Sequence, residues 1–229
     1  MRIGILQSGH FLDKSDTALG DYEDLFAVMF DGHDLSLRTW DVVDMDFPNS
    51  PQDADGWLIT GSKHGAYNDL PFIAPLEDFI RRAYAASAPM VGICFGHQII
   101  AQALGGRVEK FDKGWSVGAT TYDWNGTPTT LNAWHEDQVV ALPEGAERIA
   151  SSDFCENAAL IYPGRALTIQ PHPEFKSDSI QALLKARRGT GKIPEDQLDL
   201  VEDRLGLDVA NAQITDRIVA FFQETIPNG

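Results

Sequence analysis

Cysteine is scarce in this sequence. Only Cys94 and Cys155 occur among its 229 residues. Two cysteines are too few for a disulfide-stabilised scaffold at this length, and such scarcity is typical of proteins from a reducing compartment. A chain of this length can bury enough surface for one sizeable apolar core without such bridges. We therefore expect a cytoplasmic protein.

Long apolar runs are also missing. The N-terminal run at residues 3–6 is too short for the hydrophobic region of a signal peptide. No stretch approaches the roughly 18 apolar residues that a membrane helix needs. Linkers, repeats and low-complexity tracts do not interrupt the chain either. We expect neither export nor membrane insertion, and a single domain over residues 1–229.

Positive charge is the third shortage. Eighteen Lys and Arg residues stand against 34 Asp and Glu residues, which gives a net charge of −16. A field of this sign repels the phosphates of nucleic acids and anionic membrane surfaces. This balance argues against nucleic acids and membranes as partners, and a small-molecule substrate is expected instead.

Motifs for metals and nucleotides are lacking as well. The six histidines are scattered, and neither Cys-x-x-Cys nor His-Glu-x-x-His occurs. His135, Glu136 and Asp137 are adjacent, but neighbouring residues of an extended chain face opposite ways. The segment GTGKI at residues 189–193 lacks the spacing and the final Ser/Thr of a P-loop, so we interpret it as a solvated turn. We predict no metal and no cofactor.

Strand-like and helix-like segments alternate over the first hundred residues. Apolar runs predict strands at residues 2–6, 35–40, 56–60 and 90–93, and helical spacing predicts an amphipathic helix over residues 73–84. A further helix is predicted from Tyr22, Leu25, Phe26 and Met29. Such alternation implies an α/β fold with a mostly parallel sheet and helices on both faces.

The second half of the chain has a different pattern of apolar and polar residues. Short alternating runs between residues 107 and 170, with Asn125-Gly126 between two of them, predict a small antiparallel hairpin segment. Helices are then predicted between a Ser177 N-cap and Gly189, over residues 194–206, and over residues 214–222.

Cys94 lies at the most informative point of the sequence. The stretch VGICFGHQ at residues 91–98 predicts a strand, a tight turn and a helix in immediate succession. Gly92 and Gly96 flank the cysteine at the spacing that a nucleophile elbow needs, because side chains there would collide. The thiol would then lie at a helix N-terminus, which favours the thiolate. The alternative is a small buried core cysteine.

Residues 170–175 (QPHPEF) contain a candidate base and a candidate group to orient it. In an extended segment His172 and Glu174 face the same way, so the carboxylate can hold the imidazole while the imidazole serves the thiol. Acyl chemistry also needs donors for an oxyanion. The N–H of Phe95 is one candidate and the loop at Gly61 another, although a structural turn explains Gly61 equally well.

Together these segments resemble the class I glutamine amidotransferases. The Gly-x-Cys-x-Gly-x-Gln motif is matched by Gly92, Cys94, Gly96 and Gln98, and the His-Pro-Glu motif begins at His172. Residues 134–139 (WHEDQV) are similar to the family's segment near the glutamine site. The resemblance covers residues 56–175 and implies a flavodoxin-like, three-layer α/β fold with a central mostly parallel sheet and a small antiparallel segment.

The resemblance also implies an activity. Cys94 would attack a γ-glutamyl amide with His172 and Glu174 as its partners, while Gln98 and the segment around His135 would hold the substrate. Two departures stand out: the oxyanion loop at residues 60–63 reads TGSK where many relatives have Ser-Gly-Gly-Pro, and no acceptor half with a nucleotide site is present.

Three hypotheses follow. The first is a free-standing γ-glutamyl hydrolase, resembling the stand-alone branch that includes the γ-glutamyl peptidases. The second is a glutaminase subunit that supplies ammonia to a synthetase partner, as the amidotransferase domains of GMP synthases do. The third is a binding or regulatory module that kept the fold without catalysis.

Overall fold

A computed structural model describes residues 1–12 and 18–226. Its strands are β1 (Arg2–Leu6), β2 (Ser36–Trp40), β3 (Gly56–Ile59), β4 (Met90–Ile93), β5 (Arg107–Lys110), β6 (Ser116–Trp124), β7 (Thr127–His135), β8 (Asp137–Ala141), β9 (Glu147–Ser151), β10 (Ala159–Tyr162) and β11 (Ala166–Ile169). Its α-helices are α1 (Tyr22–Met29), α2 (Ile73–Ala85), α3 (Phe95–Ala103), α4 (Ser177–Arg187), α5 (Glu195–Glu202) and α6 (Asn211–Thr225). None of the helices in these two ranges is long and apolar enough to cross a membrane.

Nine strands form one sheet in the order β2-β1-β3-β4-β11-β10-β9-β6-β7. The first five of these run parallel to one another, and the other four continue the sheet in antiparallel pairing. Strands β5 and β8 form a separate two-stranded antiparallel sheet. The predicted α/β architecture, with its parallel sheet and small antiparallel segment, is confirmed.

Helices cover both faces of the sheet, and the central parallel strands β3, β4 and β11 are buried along their whole length. One apolar cluster joins alternate strand residues such as Ile3 and Ile5 to α1, α4 and α6, and the other joins Leu6 and Ile59 to α2 and α3. The small sheet belongs to the second cluster through Val108 and Val139. The fold therefore has three layers, and burial of these apolar side chains is the main force that holds them together.

Two local predictions have different outcomes. Asn125 and Gly126 both have positive φ, at 50° and 84°, and Trp124 pairs with Thr127, so the two-residue hairpin turn is confirmed. Ser177 as the N-cap of α4 is wrong. The capping position is Lys176, and the Ser177 hydroxyl instead donates to the carbonyl oxygen of Leu205 at 2.6 Å.

The predicted turn between β4 and α3 is tightly constrained. Cys94 joins the two elements with φ of 52° and ψ of −102°, a conformation that costs energy for a residue other than glycine. A Cβ on Gly92 would lie 2.5 Å from the carbonyl of Gly96, and one on Gly96 would collide with the carbonyl oxygen of Ile59. Both glycines are therefore needed for α3 to pack against the ends of β3 and β4.

Substitution of Gly96 by alanine tests this packing. We expect Gly96→Ala to lower the free energy of unfolding by about 3 kcal/mol, since the obstructing atoms belong to backbone that cannot rotate away. The matched control is Gly206→Ala, where a Cβ meets nothing within 4 Å, and its effect should stay within about 0.5 kcal/mol. Urea unfolding of both variants measures the difference, and equal stability would contradict the packing argument.

Candidate active site

The predicted catalytic residues meet at one edge of the sheet. Strands β3, β4 and β11 are parallel neighbours, and the loop beginning at Thr60, Cys94 and the segment containing His172 follow their carboxyl ends. The backbone N–H of Cys94 donates to the carbonyl of Ile169 at 2.8 Å, which ties the elbow to the end of β11. Ligand sites of open α/β sheets lie at this edge.

His172 and Glu174 point together, as their spacing predicts. The Nδ1 atom of His172 lies 2.7 Å from Oε1 of Glu174, and both residues are buried. The His172 ring stacks on Phe175 with 4.0 Å between centroids. Asn132 on β7 holds this segment from the other side, because its carbonyl accepts from the N–H of His172 and its side chain donates to the carbonyl of Phe175. The imidazole is therefore fixed in position and orientation.

The electrostatics of His172 favour its protonated form. Burial acts to lower its pKa, but the Glu174 carboxylate and the nearby Cys94 sulfur together raise the pKa of His172 to about 10. At neutral pH the imidazole therefore holds a proton between a carboxylate and a sulfur. A cation beside a cysteine stabilises the thiolate, which is the nucleophilic form.

The two predicted oxyanion residues lie close to this group: Phe95 follows Cys94 at the start of α3, and Gly61 approaches His172. The N–H of Gly96 donates to the carbonyl of Thr60 at 3.1 Å, which joins the β3 loop to the start of α3. Within the described residues, the N–H of Phe95 has no acceptor. A Cβ on Gly61 would lie 2.8 Å from Oη of Tyr22 and 3.1 Å from Cε1 of His172, so Gly61 approaches the site closely.

Gln98 and His135 lie together, because both contact the carbonyl of Asp137. The Gln98 amide donates to the carbonyl of Asp137 at 2.9 Å and to the side chain of Gln170 at 3.1 Å. His135 contacts the same carbonyl through Nδ1 at 3.2 Å, while its buried Nε2 has no partner among the described residues. Burial lowers the pKa of His135 to about 3, so this imidazole is neutral.

A cavity of about 510 Å³ opens above the sulfur. Cys94, Gln98, His135 and His172 all line it, whereas Gly61 and Phe95 are not among its lining residues. Within residues 1–12 and 18–226, no three His, Cys, Asp or Glu side chains are grouped so that they could hold a metal ion. Further lining residues are aromatic or charged: Phe11, Tyr22, Lys63, Tyr67, Lys110, Trp115, Trp134, Glu136, Asp137, Phe175, Arg187 and Lys192.

Sequence reasoning misses three of these lining residues. The local pattern places Tyr22 only on the apolar side of its helix, and Arg187 only in the last turn of α4. Lys192 lies in the 189–193 segment, where positive φ at Gly189 and Gly191 confirms a turn, yet its side chain also reaches the cavity. Long-range packing of α1 and α4 brings these residues to the site, and no local pattern reports such packing.

Comparison with known proteins identifies the family. The family model for class I glutamine amidotransferases matches residues 37–187, which is well over half of the chain. The chain belongs to the class I glutamine amidotransferase family. A glutamine amidotransferase-like protein of Schizosaccharomyces pombe is 32% identical over 97% of this chain and 98% of its own length. The resemblance that the two motifs indicate is thereby confirmed.

Other class I relatives include named enzymes. γ-Glutamyl peptidase 4 of Arabidopsis thaliana is 27% identical and aligns over 91% of this chain and 90% of its own length. A subunit of the glutamine-hydrolysing GMP synthase of Halobacterium salinarum is 32% identical over 62% of this chain and 78% of its own length. A glutamine amidotransferase structure from Methylobacillus flagellatus superimposes with a TM-score of 0.77 at 20% identity, covering 100% of this chain and 96% of the other, which shows a shared fold.

Two buried histidines make this amidotransferase fold sensitive to acid. Burial lowers the pKa of both His97 and His135 to about 3 from the ordinary 6.5. The unfolded chain takes up protons below pH 6.5 while the folded chain does not, so stability falls as pH falls from 6.5 towards 3. His172 acts oppositely: its raised pKa contributes stability fully below pH 6.5, and this is lost between pH 6.5 and about 10.

We therefore expect the free energy of unfolding to be lower at pH 5 than at pH 7. His97 and His135 should each account for a decrease of about 2 kcal/mol. Urea unfolding at the two pH values measures this loss. His97→Gln should remove its share of the pH dependence, even if the variant is less stable overall. The control is His33→Gln, at a side chain outside the core. Its unfolding free energy should change between the two pH values as much as that of the wild type. An unchanged pH dependence in His97→Gln would refute the assignment.

Proposed function

We propose that the protein is a thiol hydrolase of the γ-glutamyl amide bond, with Cys94 as nucleophile, His172 as acid and base, and Glu174 as the residue that orients His172. The observation that carries the proposal is the placement of His172. His172 lines the same cavity as Cys94, and its Nδ1 lies 2.7 Å from the buried Glu174 carboxylate. A structural cysteine does not need such partners.

The proposed reaction has two steps. Sγ of Cys94 attacks the amide carbon, the proton on His172 passes to the leaving nitrogen, and the C–N bond breaks to give a γ-glutamyl thioester and ammonia or an amine. Water then gives a proton to His172 as it attacks the thioester, and the C–S bond breaks. Glutamate leaves, and its new carboxyl group releases a proton to solvent. The thiolate and the protonated imidazole are restored.

The other site residues have supporting roles in this proposal. The N–H groups of Phe95 and Gly61 would donate to the oxyanion of each tetrahedral intermediate. Gln98 and His135 would shape the pocket for the glutamyl half, with the carboxylates of Glu136 and Asp137 near its ammonium group. We further propose that the chain acts as one domain in the cytoplasm, where a reactive thiol stays reduced.

A second candidate is supported by the relatives. The matching component of the Halobacterium GMP synthase aligns with this chain over 78% of its own length. The protein would then supply ammonia from glutamine to a synthetase partner. The two candidates differ in how they behave in isolation: a free-standing hydrolase is fully active alone, whereas an ammonia-supplying component shows weak activity that a partner strengthens.

Removal of the Cys94 thiol tests the first candidate. Purified protein should release glutamate from glutamine or from γ-glutamyl peptides and amines, and Cys94→Ser should lose this activity by a factor of about 10⁴ or more because the triad acts as a unit. Cys155→Ala is the matched control. Cys155 is buried away from the cavity, and its burial raises the pKa of the thiol to about 12, so the variant should stay within about twofold of wild type.

Substitution of Glu174 by glutamine tests the orienting role. We expect Glu174→Gln to lower kcat by about 10²–10⁴ with a smaller change in KM, because the imidazole keeps its place but loses the carboxylate that fixes its tautomer. The thiol should also react more slowly with iodoacetamide near neutral pH. Full glutamate release by Cys94→Ser would overturn Cys94 as the nucleophile. Failure of iodoacetamide to label Cys94 in the wild type would favour a binding module instead.

A further inference from the structure

Two adjacent arginines at the end of α4 have opposite surroundings. Arg188 contacts three carboxylates, those of Glu195 at 3.3 Å, Asp199 at 2.8 Å and Glu202 at 2.5 Å. The side chain of Arg187 has no hydrogen-bond or ion-pair partner among the described residues, although its Nε is buried. Acidic residues outnumber basic ones 34 to 18 in this chain, so an arginine without a carboxylate is unexpected. A buried guanidinium nitrogen without an acceptor is costly unless a ligand supplies one.

Arg187 lines the cavity that contains Cys94. Burial first, and then the charges of Cys94 and Glu174, raise the pKa of Tyr22, while the charge of Arg187 opposes them. Tyr22, Cys94 and Arg187 all line this cavity, so the Tyr22 hydroxyl is close to both the sulfur and Arg187. A second cation, Lys192, lines the same cavity and has no ion pair among the described residues.

The other charged residues of the cavity come from the opposite layer of the fold. Glu136 and Asp137 lie beside the small sheet, where Lys110 pairs with Glu136 at 3.1 Å and Tyr67 donates to Asp137 at 3.0 Å. These residues belong with α2 and α3, whereas Arg187 comes from α4 on the other face. The cavity therefore has two carboxylates beside the small sheet, one of them paired with Lys110, and two basic side chains without an ion pair among the described residues, Arg187 and Lys192.

We infer that Arg187, assisted by Lys192, binds a carboxylate on the leaving group of the substrate. This inference rests on the proposed function and specifies its substrate class. The ammonium group of the glutamyl half meets Glu136 and Asp137, and the departing amine extends towards Arg187. The preferred substrates are then γ-glutamyl amino acids and short γ-glutamyl peptides, in which a carboxylate follows the scissile bond. Glutamine, whose leaving group is ammonia, leaves Arg187 without a partner.

A pair of substrates that differ only in this carboxylate tests the inference. Wild-type protein should hydrolyse γ-glutamylglycine with a kcat/KM about 10- to 100-fold above that for γ-glutamylglycinamide, the range expected for one charge-assisted hydrogen-bonded contact. Arg187→Gln should abolish this preference, chiefly through a higher KM for γ-glutamylglycine. Its kcat/KM for γ-glutamylglycinamide should stay within about twofold of the wild-type value. Arg187→Lys should restore part of the preference, since it keeps the charge without the planar fork.

Arg188→Gln is the matched control, because its guanidinium contacts surface carboxylates; it should keep the full preference for γ-glutamylglycine. An equal decrease in kcat/KM for both substrates in Arg187→Gln would overturn the inference, because Arg187 would then contact the glutamyl half. A wild type that hydrolyses both substrates equally would also overturn it while leaving the hydrolase proposal intact. Hydrolysis of neither substrate, with no labelling of Cys94, would instead remove the proposed function itself.

Discussion

The close approach of α3 to the ends of β3 and β4 is the constraint on which the site depends. Gly92 and Gly96 allow the chain to reverse within one residue, and Cys94 takes the strained conformation that results. The hydrogen bond from Gly96 to Thr60 locks the neighbouring loop into the same unit. One packing contact thus presents the sulfur and orders the loop that carries Gly61. The energy for this strain comes from the apolar burial on both faces of the sheet.

The second requirement is a histidine that does not move. Its ring is stacked on Phe175, its backbone is paired with Asn132, and its Nδ1 is held by Glu174. These contacts come from a hairpin strand, β7, and from the segment after β11, which are remote in the chain. Rigid placement suits the proposed role of His172 as a base, because it lowers the entropic cost of a proton transfer. The antiparallel half of the sheet therefore contributes to the candidate site, because it supplies the strand that holds His172.

Charge is distributed unevenly in this acidic protein. Most carboxylates face solvent, where they keep the protein soluble and repel polyanions. Around the cavity the balance differs, since Lys63, Lys110, Arg187 and Lys192 all contribute to its lining. A concave site lined by such groups attracts small anionic groups in a molecule whose overall field would otherwise repel them.

Local sequence by itself determined the strand and helix order, the elbow at Cys94, the hairpin turn at Asn125-Gly126 and the shared direction of His172 and Glu174. Each of these follows from a short-range rule: apolar periodicity, glycine geometry or the alternation of an extended chain. Tertiary structure alone decided that Asn132 supports the base, that Tyr22 approaches Gly61, and that Arg187 faces the cavity while Arg188 faces carboxylates. These outcomes depend on how remote elements pack across the sheet, and packing of that kind leaves no periodic signal in the residues that take part.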